Sequence, residues 1–160
     1  MSQKILGREA LANTLEPLKA AGKRIVFTNG CFDILHVGHV RYLKDAKKEG
    51  DVLVVGLNSD RSVRRIKGPK RPIVTEKERA EVLASLECID FVTLFDEPDP
   101  FVTIEKLMPH VLVKGADWEK QAIIGKDVVE ANGGRVARIP LVEGASTSGI
   151  IEKIVSTHCG

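Results

Sequence analysis

The stretch RIVFTNGCFDILHVGHVRYL, residues 24–43, decides the fold of this chain. It opens with a short β-branched run at residues 24–28, which predicts a buried strand, and after two glycines a helical pattern begins at Val40. Further runs of the strand type alternate with helical segments along the chain, at residues 52–57, 91–94, 111–113 and 135–139. Because such alternation forms right-handed βαβ crossovers, the sequence predicts an α/β fold with a doubly wound, parallel, five-stranded sheet.

Two helix starts are marked by their capping residues. Thr75 and Glu78 have the spacing of a capping box, which predicts a helix through residue 86. Asp99 stands before Pro100, and we expect the aspartate to cap a helix whose first residue is the proline. A further helix is predicted over residues 125–132, where two glycines stop it.

Length and composition indicate one domain. The chain has 160 residues, 43% of them hydrophobic, so we interpret residues 1–160 as a single domain. Residues 1–22 form a helical segment, interrupted at Pro17, that packs on the sheet. A net charge of +2 does not favour a nucleic-acid or membrane partner. Three widely spaced cysteines and no long apolar stretch favour a cytoplasmic protein.

The turn after the first strand is the strongest candidate for a functional site. Ligands of doubly wound sheets bind beyond the carboxyl ends of the strands, and Gly30 and Gly38 let a phosphate approach the main-chain N–H groups there. His36 and His39 are three residues apart, so a helical first turn brings both imidazoles to one face beside that anion. Alternatively, one histidine caps the helix while the other packs in the core. A metal site is disfavoured because no third ligand lies nearby in sequence.

Two more segments follow strands and could bind phosphate. A cluster of hydroxyls precedes the last helix, where it either caps the helix or binds phosphate oxygens as well; it consists of Ser146, Thr147 and Ser148. The run from Arg61 to Arg71 contains six cations and no acidic residue. It is interpreted either as a solvated face or as a mobile phosphate-binding flap.

The end of the fourth predicted strand has a possible binding edge. Gly115 would admit a base or a sugar close to the backbone, and Asp117 could accept hydrogen bonds from hydroxyl groups. Lys114 and Trp118 flank them, and each could equally be an ordinary surface or packing residue.

The segments TNGCFDILHVGH (residues 28–39) and STS (residues 146–148) resemble the two signatures of the HxGH nucleotidyltransferase superfamily, which has a Rossmann-like fold. Within it, residues 23–155 are most similar to the family that adenylylates heptose 1-phosphate. The resemblance implies transfer of AMP from ATP, with Mg²⁺, to D-glycero-β-D-manno-heptose 1-phosphate, giving ADP-heptose and pyrophosphate for lipopolysaccharide or another surface glycan. It also implies a homodimer. Two-domain relatives carry a sugar kinase before this module, so we expect a separate kinase to supply the acceptor.

The same resemblance implies roles for individual residues. His36, His39 and Lys67 would be catalytic, by stabilising charge on the reacting phosphates. Residues implied in binding the sugar phosphate are Asp33, Arg64 and Lys114. Those implied in binding the nucleotide are Thr28, Asn29, Gly30, Cys31, Phe32, Gly38, Gly115, Asp117, Ser146, Thr147 and Ser148. No residue is assigned to a metal.

Two alternatives remain open. A cytidylyl- or guanylyltransferase acting on another sugar or alcohol phosphate would share this fold and this reaction type. Relatives that use CTP with glycerol phosphate carry an arginine where this chain has Leu141, which disfavours CTP. The second alternative, of another class, is a non-catalytic nucleotide-binding module.

Overall fold

The computed structural model describes residues 2–119 and 122–159. The helices and strands, in chain order, are α1 (Arg8–Ala20), β1 (Ile25–Gly30), α2 (Val37–Lys47), β2 (Val52–Asn58), α3 (Asp60–Lys67), α4 (Glu76–Ala84), β3 (Phe91–Phe95), α5 (Phe101–Leu107), β4 (Val111–Gly115), α6 (Lys126–Ala131), β5 (Arg135–Ile139) and α7 (Thr147–His158). The strands form one sheet in the order β3-β2-β1-β4-β5, with every neighbouring pair parallel. This confirms the predicted doubly wound α/β fold.

The sheet opens between β1 and β4, where the strand order reverses. β1 pairs with β2 along its whole length, from Ile25 opposite Val52 to Gly30 opposite Leu57. It pairs with β4 only through Val26 and Phe27. The carboxyl ends of β1 and β4 therefore separate and leave a crevice, which is the position at which α/β sheets bind ligands.

Alternation along β1 divides the core between the two faces of the sheet. Val26 packs on the face covered by α2 and α4, whereas Ile25 and Phe27 pack on the face covered by α1, α5 and α6. Each fully buried side chain of this kind stabilises the fold by about 1.5–3 kcal/mol relative to exposure. Because both faces are covered, the central strands β1, β2 and β4 read in sequence as largely apolar runs rather than as alternating ones, whereas the edge strand β5 is partly exposed.

The end of β1 and the continuity of α1 differ from the sequence prediction. β1 continues to Gly30, two residues beyond the predicted end, because Asn29 and Gly30 still pair with β2. The predicted interruption at Pro17 is wrong, since the proline lies inside α1. Proline removes the hydrogen bond to the carbonyl of Asn13, but both residues are exposed, so water can take that place.

The predicted helix start at Thr75 is confirmed, whereas the N-cap of α5 is Pro100 rather than the predicted Asp99. Thr75 caps α4, accepting from the N–H of Glu78 at 3.4 Å, and α4 ends at Ala84 rather than at residue 86. α5 begins one residue after the predicted position, at Phe101, whose N–H donates to Asp99 Oδ1 at 2.9 Å. The first part of the cationic run is helix α3, which Gly68 ends with a φ of 97°. Among the described helices none is long and apolar enough to cross a bilayer.

Candidate active site

A cleft of about 610 Å³ lies beyond the carboxyl ends of β1 and β4. Its volume is typical of small-molecule binding sites. The cleft is lined by every residue that the sequence predicted for the site, with the exceptions of Thr28 and Arg64. The two signature segments, which lie more than a hundred residues apart in the chain, therefore meet in one cavity.

The two histidines of the first signature stack at the start of α2. Their ring centroids are 3.8 Å apart with 25° between the planes, and the edge of Phe32 supports His39. His36 is the N-cap of α2, and its Nδ1 accepts from the N–H of Gly38 at 3.1 Å. The N–H of His36 in turn donates to His39 Nδ1 at 3.3 Å. The histidines thus cap the helix reciprocally, as the two residues of a capping box do.

This reciprocal cap fixes the protonation of both rings. A Nδ1 that accepts a hydrogen bond carries no proton, so each neutral imidazole has its proton on Nε2. Burial, and then the charge of His36, lower the pKa of His39 to about 4, against a smaller opposite effect of Asp33. Burial also lowers the pKa of His36. At neutral pH the free protein therefore has two neutral rings, each with an Nε2–H available as a donor.

Gly38 allows the second signature to pack against the first. A Cβ atom at this position would lie 2.8 Å from His36 Cε1 and 2.9 Å from Ala145 Cβ. Such contacts are closer than side chains tolerate, so any larger residue would displace the ring or the segment before α7. The glycine is required here for close approach.

Thr28 does not line the cleft, which contradicts the prediction that it contacts nucleotide. Its side chain is fully buried, and its hydroxyl donates to the carbonyl of Val113 at 3.1 Å. Tyr42 bonds to the Thr28 hydroxyl at 2.8 Å and to the same carbonyl at 3.3 Å, and burial raises its pKa to about 12. The two hydroxyls satisfy the polar groups left where β1 and β4 separate, so Thr28 maintains the crevice rather than binding in it.

Asp33 lines the cleft, but its carboxylate is already occupied. The Nε of Arg71 donates to it at 2.8 Å, and the N–H groups of Ile73 and Val74 donate at 2.8 and 2.9 Å. Burial alone would raise the pKa of Asp33, but these three hydrogen bonds outweigh it and lower the pKa. The carboxylate thus acts as a latch that holds residues 71–74 against the first signature, and its contact with sugar phosphate stays a prediction.

A hydrogen bond joins the two signatures directly. The hydroxyl of Thr147 donates to the carbonyl oxygen of Asp33 at 2.7 Å. Ser146 is the N-cap of α7, and its hydroxyl accepts from the N–H of Gly149 at 2.9 Å. The hydroxyl cluster can therefore both cap α7, through Ser146, and face a ligand, because Ser148 lines the cleft.

The cationic run reaches the cleft through part of its residues only. Lys67, at the end of α3, and Arg71 line the cleft on the side of β2. Arg64 is exposed on α3 and does not line it, so the structure does not bring this predicted residue to the site. Arg71 was part of the run but was not singled out; its Nε is bonded to Asp33, which leaves its Nη groups for an anion.

The opposite wall, at the end of β4, is apolar and aromatic. Lys114 Nζ lies 5.4 Å from the ring centroid of Trp118, within the range of a cation–π interaction. Burial lowers the pKa of Lys114 to about 8, although Asp117 and Cys31 raise it. Leu141 lines the same wall, and a Cβ at Gly115 would lie 3.0 Å from its Cδ2.

Sequence reasoning missed several residues around the site. Those that line the cleft are Tyr42, Asn58, Ile66, Pro98, Asp99, Pro100, Ile124, Val142 and Ala145. It also missed Arg79, which is buried behind the first signature. The signal for Arg79 was its position next to Ala80 and four residues before Leu83, on the buried face of α4. Within the described residues, no group of three or more metal-binding side chains is present.

A family model described as cytidylyltransferase-like matches residues 27–153 of this chain. Among curated proteins, the chain is 58% identical over 155 residues to the bifunctional protein HldE of Geobacter metallireducens, covering 97% of this chain and 32% of that protein. It is 55% identical, with the same coverage, to the bifunctional protein HldE of Syntrophotalea carbinolica. The chain thus spans about a third of the length of these relatives.

Two solved structures have a similar fold. A lipopolysaccharide core biosynthesis protein from Thermoplasma volcanium matches with a TM-score of 0.66 and 32% identity, covering 76% of this chain and 100% of that one. A pantoate–β-alanine ligase from Francisella tularensis, complexed with an ATP analogue and β-alanine, matches with a TM-score of 0.59 over 98% of this chain and 80% of its own. Its 16% identity supports the shared fold alone.

Proposed function

The chain belongs to the cytidylyltransferase-like family, and from that membership we propose that it transfers the AMP group of ATP to D-glycero-β-D-manno-heptose 1-phosphate. The products are ADP-heptose and pyrophosphate. The observation that carries this proposal is the stacked pair His36–His39, whose Nε2–H groups remain free to donate at the mouth of a triphosphate-sized cleft. The identity with HldE proteins, and the likeness to a lipopolysaccharide core biosynthesis protein, support a heptose phosphate as the acceptor.

The reaction is a single displacement at phosphorus. An oxygen of the sugar 1-phosphate forms a bond to the α-phosphorus while the bond from that phosphorus to the bridging oxygen breaks, and the electron pair leaves with pyrophosphate. The imidazoles of His36 and His39 donate to phosphate oxygens whose charge rises in the transition state. Burial raises the pKa of Cys31, so the thiol in the cleft stays protonated at neutral pH and is a poor nucleophile.

Cations and hydroxyls on the cleft wall suit the remaining phosphates. Lys67 and Arg71 are assigned to the phosphates of the reacting groups, and the main-chain N–H of Thr147, with the hydroxyl of Ser148, to the triphosphate tail. Mg²⁺ enters with ATP as part of the substrate, because Mg²⁺ is usually held by substrate phosphates and one or two carboxylates. Besides Asp33, whose oxygens are occupied, two carboxylates line the cleft, Asp99 and Asp117.

The wall at the end of β4 suits the nucleoside. Trp118 offers an aromatic face, and Gly115 lets a base or ribose approach the backbone. Leu141 has no hydrogen-bonding group for a pyrimidine, which supports ATP over CTP.

A pyrophosphate-release screen tests the proposed function. The purified chain is incubated with Mg²⁺ and each of four nucleoside triphosphates, against heptose 1-phosphate, other sugar 1-phosphates and glycerol 3-phosphate. We expect the highest kcat/KM for ATP with heptose 1-phosphate. A higher value for CTP or GTP with another acceptor would replace the proposed substrates, and no release with any pair would favour a non-catalytic nucleotide-binding module.

The sugar phosphate acceptor has to be made by another enzyme activity. Heptose 1-phosphate must come from a sugar kinase, whether on a separate chain or linked to this module. The homodimer, the single-domain organisation and the cytoplasmic location expected from the sequence stay predictions.

A further inference from the structure

Arg79 is a buried guanidinium that joins four segments behind the first signature. Only 2% of the residue is exposed. Its Nη1 donates to the carbonyls of Cys31 at 2.7 Å and Asn58 at 2.8 Å, its Nε donates to the carbonyl of Val74 at 2.9 Å, and its Nη2 bonds to Asp60 Oδ1 at 2.8 Å. Removing such a group would leave three carbonyls, one buried and two partly buried, short of a donor.

Arg79 contacts the signature loop from outside the cleft. It lines a separate small cavity of about 80 Å³ together with Ile34, Leu35 and Leu83, and it does not line the cleft. Phe32 lies between the two cavities and lines both. Arg79 thus holds the loop from outside the cleft, whereas residues of the loop line the cleft.

The contact between Arg79 and the Cys31 carbonyl determines the direction of the Phe32 N–H. The Cys31–Phe32 peptide bond is trans, and in a trans peptide the C=O and N–H groups point in opposite directions. Because Arg79 holds the Cys31 carbonyl, the N–H of Phe32, a residue that lines the cleft, is directed away from Arg79. Among the described residues, no acceptor takes this N–H.

The backbone around Phe32 is strained, which is consistent with a conformation imposed by its surroundings. Phe32 and Ile34 have φ angles of 46° and 52°, in the left-handed region that residues with side chains rarely adopt. Such strain persists only where neighbouring groups over-determine the backbone. Here the groups are Arg79 on the carbonyl before Phe32 and the latched carboxylate of Asp33 after it.

We propose that Arg79 is a positioning residue, which holds the Cys31 carbonyl so that the Phe32 N–H donates to a phosphate of the bound triphosphate. The inference rests on the proposed function in one respect, because it needs a triphosphate in the cleft. Arg79 acts through the loop and does not touch the substrate. Through Asp60 it also fixes the start of α3, the helix that ends in Lys67.

The experiment follows the amide of Phe32 by NMR during a titration with MgATP and no acceptor. In the native chain we expect the Phe32 amide proton to move downfield as it forms a hydrogen bond to phosphate. In the Arg79→Lys variant, a lysine cannot span the carbonyls, so the response should be lost. With heptose 1-phosphate present, kcat/KM for ATP should fall by about 30- to 100-fold, as expected for a displaced donor.

Arg8→Lys is the matched control. Arg8 also bridges distant segments, with its Nη2 at 2.8 Å from both carboxylate oxygens of Glu97 and its Nε at 3.1 Å from Thr103 Oγ1, but it does not line the cleft. We expect this variant to lower the unfolding temperature while it keeps the Phe32 response and kcat/KM.

Three outcomes would overturn the inference. One is a native Phe32 amide that does not respond although other cleft resonances show MgATP binding. Another is an Arg79→Lys variant that loses thermal stability but keeps the native kcat/KM and the Phe32 response. If no resonance responds to MgATP, the proposed function fails together with the inference, and this result is distinct from the first two.

Discussion

The imidazole of His36 stacks on that of His39, with ring centroids 3.8 Å apart and 25° between the planes, and each ring receives a main-chain N–H at Nδ1. One pair of residues thus both starts α2 and presents two Nε2–H donors to the cleft. The structural interpretation of these histidines, as helix caps, and the chemical one do not compete, because they use different nitrogens of the same rings.

Removing the donor of His39 should strongly reduce turnover with little loss of fold stability. In His39→Asn the amide oxygen can still accept from the N–H of His36, whereas no group replaces Nε2–H. We expect kcat to fall by about 10²–10³-fold, the usual loss for one preorganised donor to a developing anion. Pyrophosphate release and urea unfolding measure the two effects. His158→Ala, at an exposed position in α7, is the control; native turnover in His39→Asn would contradict the catalytic role.

The histidine pair should also make stability depend on pH. The pKa of His39 is about 4 in the folded chain and near 6.5 when unfolded, so the unfolded state binds more protons between these values. The stability contributed by the neutral ring is therefore complete above pH 6.5 and is lost as pH falls toward 4. We expect the free energy of unfolding, from urea titrations, to decrease over this window, and to decrease less in His39→Asn.

Titration of Lys114 should make kcat/KM decrease at basic pH. Its pKa of about 8 means that the ammonium group is charged below that pH and neutral above it. If this charge binds a phosphate, kcat/KM falls as pH rises through about 8. Lys114→Arg keeps a cation at higher pH, so this decrease should disappear from its pH profile. A decrease at an unchanged pH in the variant would assign the titration to another group.

Breaking the hydrogen bonds of the Asp33 carboxylate should lower the stability of the fold. Asp33→Asn breaks an ion pair whose side chains are 0% and 14% exposed, which typically destabilises a protein by about 3–5 kcal/mol. Residues 71–74 would lose their attachment, so we also expect a higher KM for the sugar phosphate. Asp45→Asn, in an exposed pair with Lys48, is the control and should change stability by about 0.5 kcal/mol or less. A similar loss of stability in the two variants would show that Asp33 does not hold residues 71–74 in place.

Trp118 should report nucleotide binding. It is the single tryptophan of the chain, its exposed fraction is 47%, and it lines the wall assigned to the nucleoside. We expect ATP to change its emission intensity in a saturable manner, and heptose 1-phosphate alone to leave it nearly unchanged. In Trp118→Phe the signal should vanish while pyrophosphate release persists. A change in emission with the sugar phosphate alone would indicate that the wall at the end of β4 binds the sugar phosphate and not the nucleoside.

Much of the fold was predictable because its signals are local. The strands read as buried runs, and Thr75 and Ser146 cap the helices that follow them. The errors arose where tertiary structure decides. β1 continues to Gly30 because β2 continues beside it, and Pro17 stays within α1 because packing of Leu11 and Leu15 outweighs one lost hydrogen bond.

The site was predictable as a location rather than as a set of contacts. Sequence placed His36, His39 and Lys67 correctly at the cleft, because the ends of parallel strands meet at one edge. It could not show that Thr28 faces Val113 or that Asp33 is occupied by Arg71, since both contacts join segments distant in sequence. The burial of Arg79 likewise depends on three carbonyls from three different segments.

The short pairing between β1 and β4 has a mechanical consequence. The sheet consists of two plates, β3-β2-β1 and β4-β5, joined along a seam of two residue pairs. Lys67 and Arg71 follow β2 of the first plate in the chain, and Trp118 follows β4 of the second, so a change in the angle between the plates would change the distance between the two walls. The width of the cleft therefore depends on the angle between the two plates, and a ligand that contacts both walls would restrict that angle.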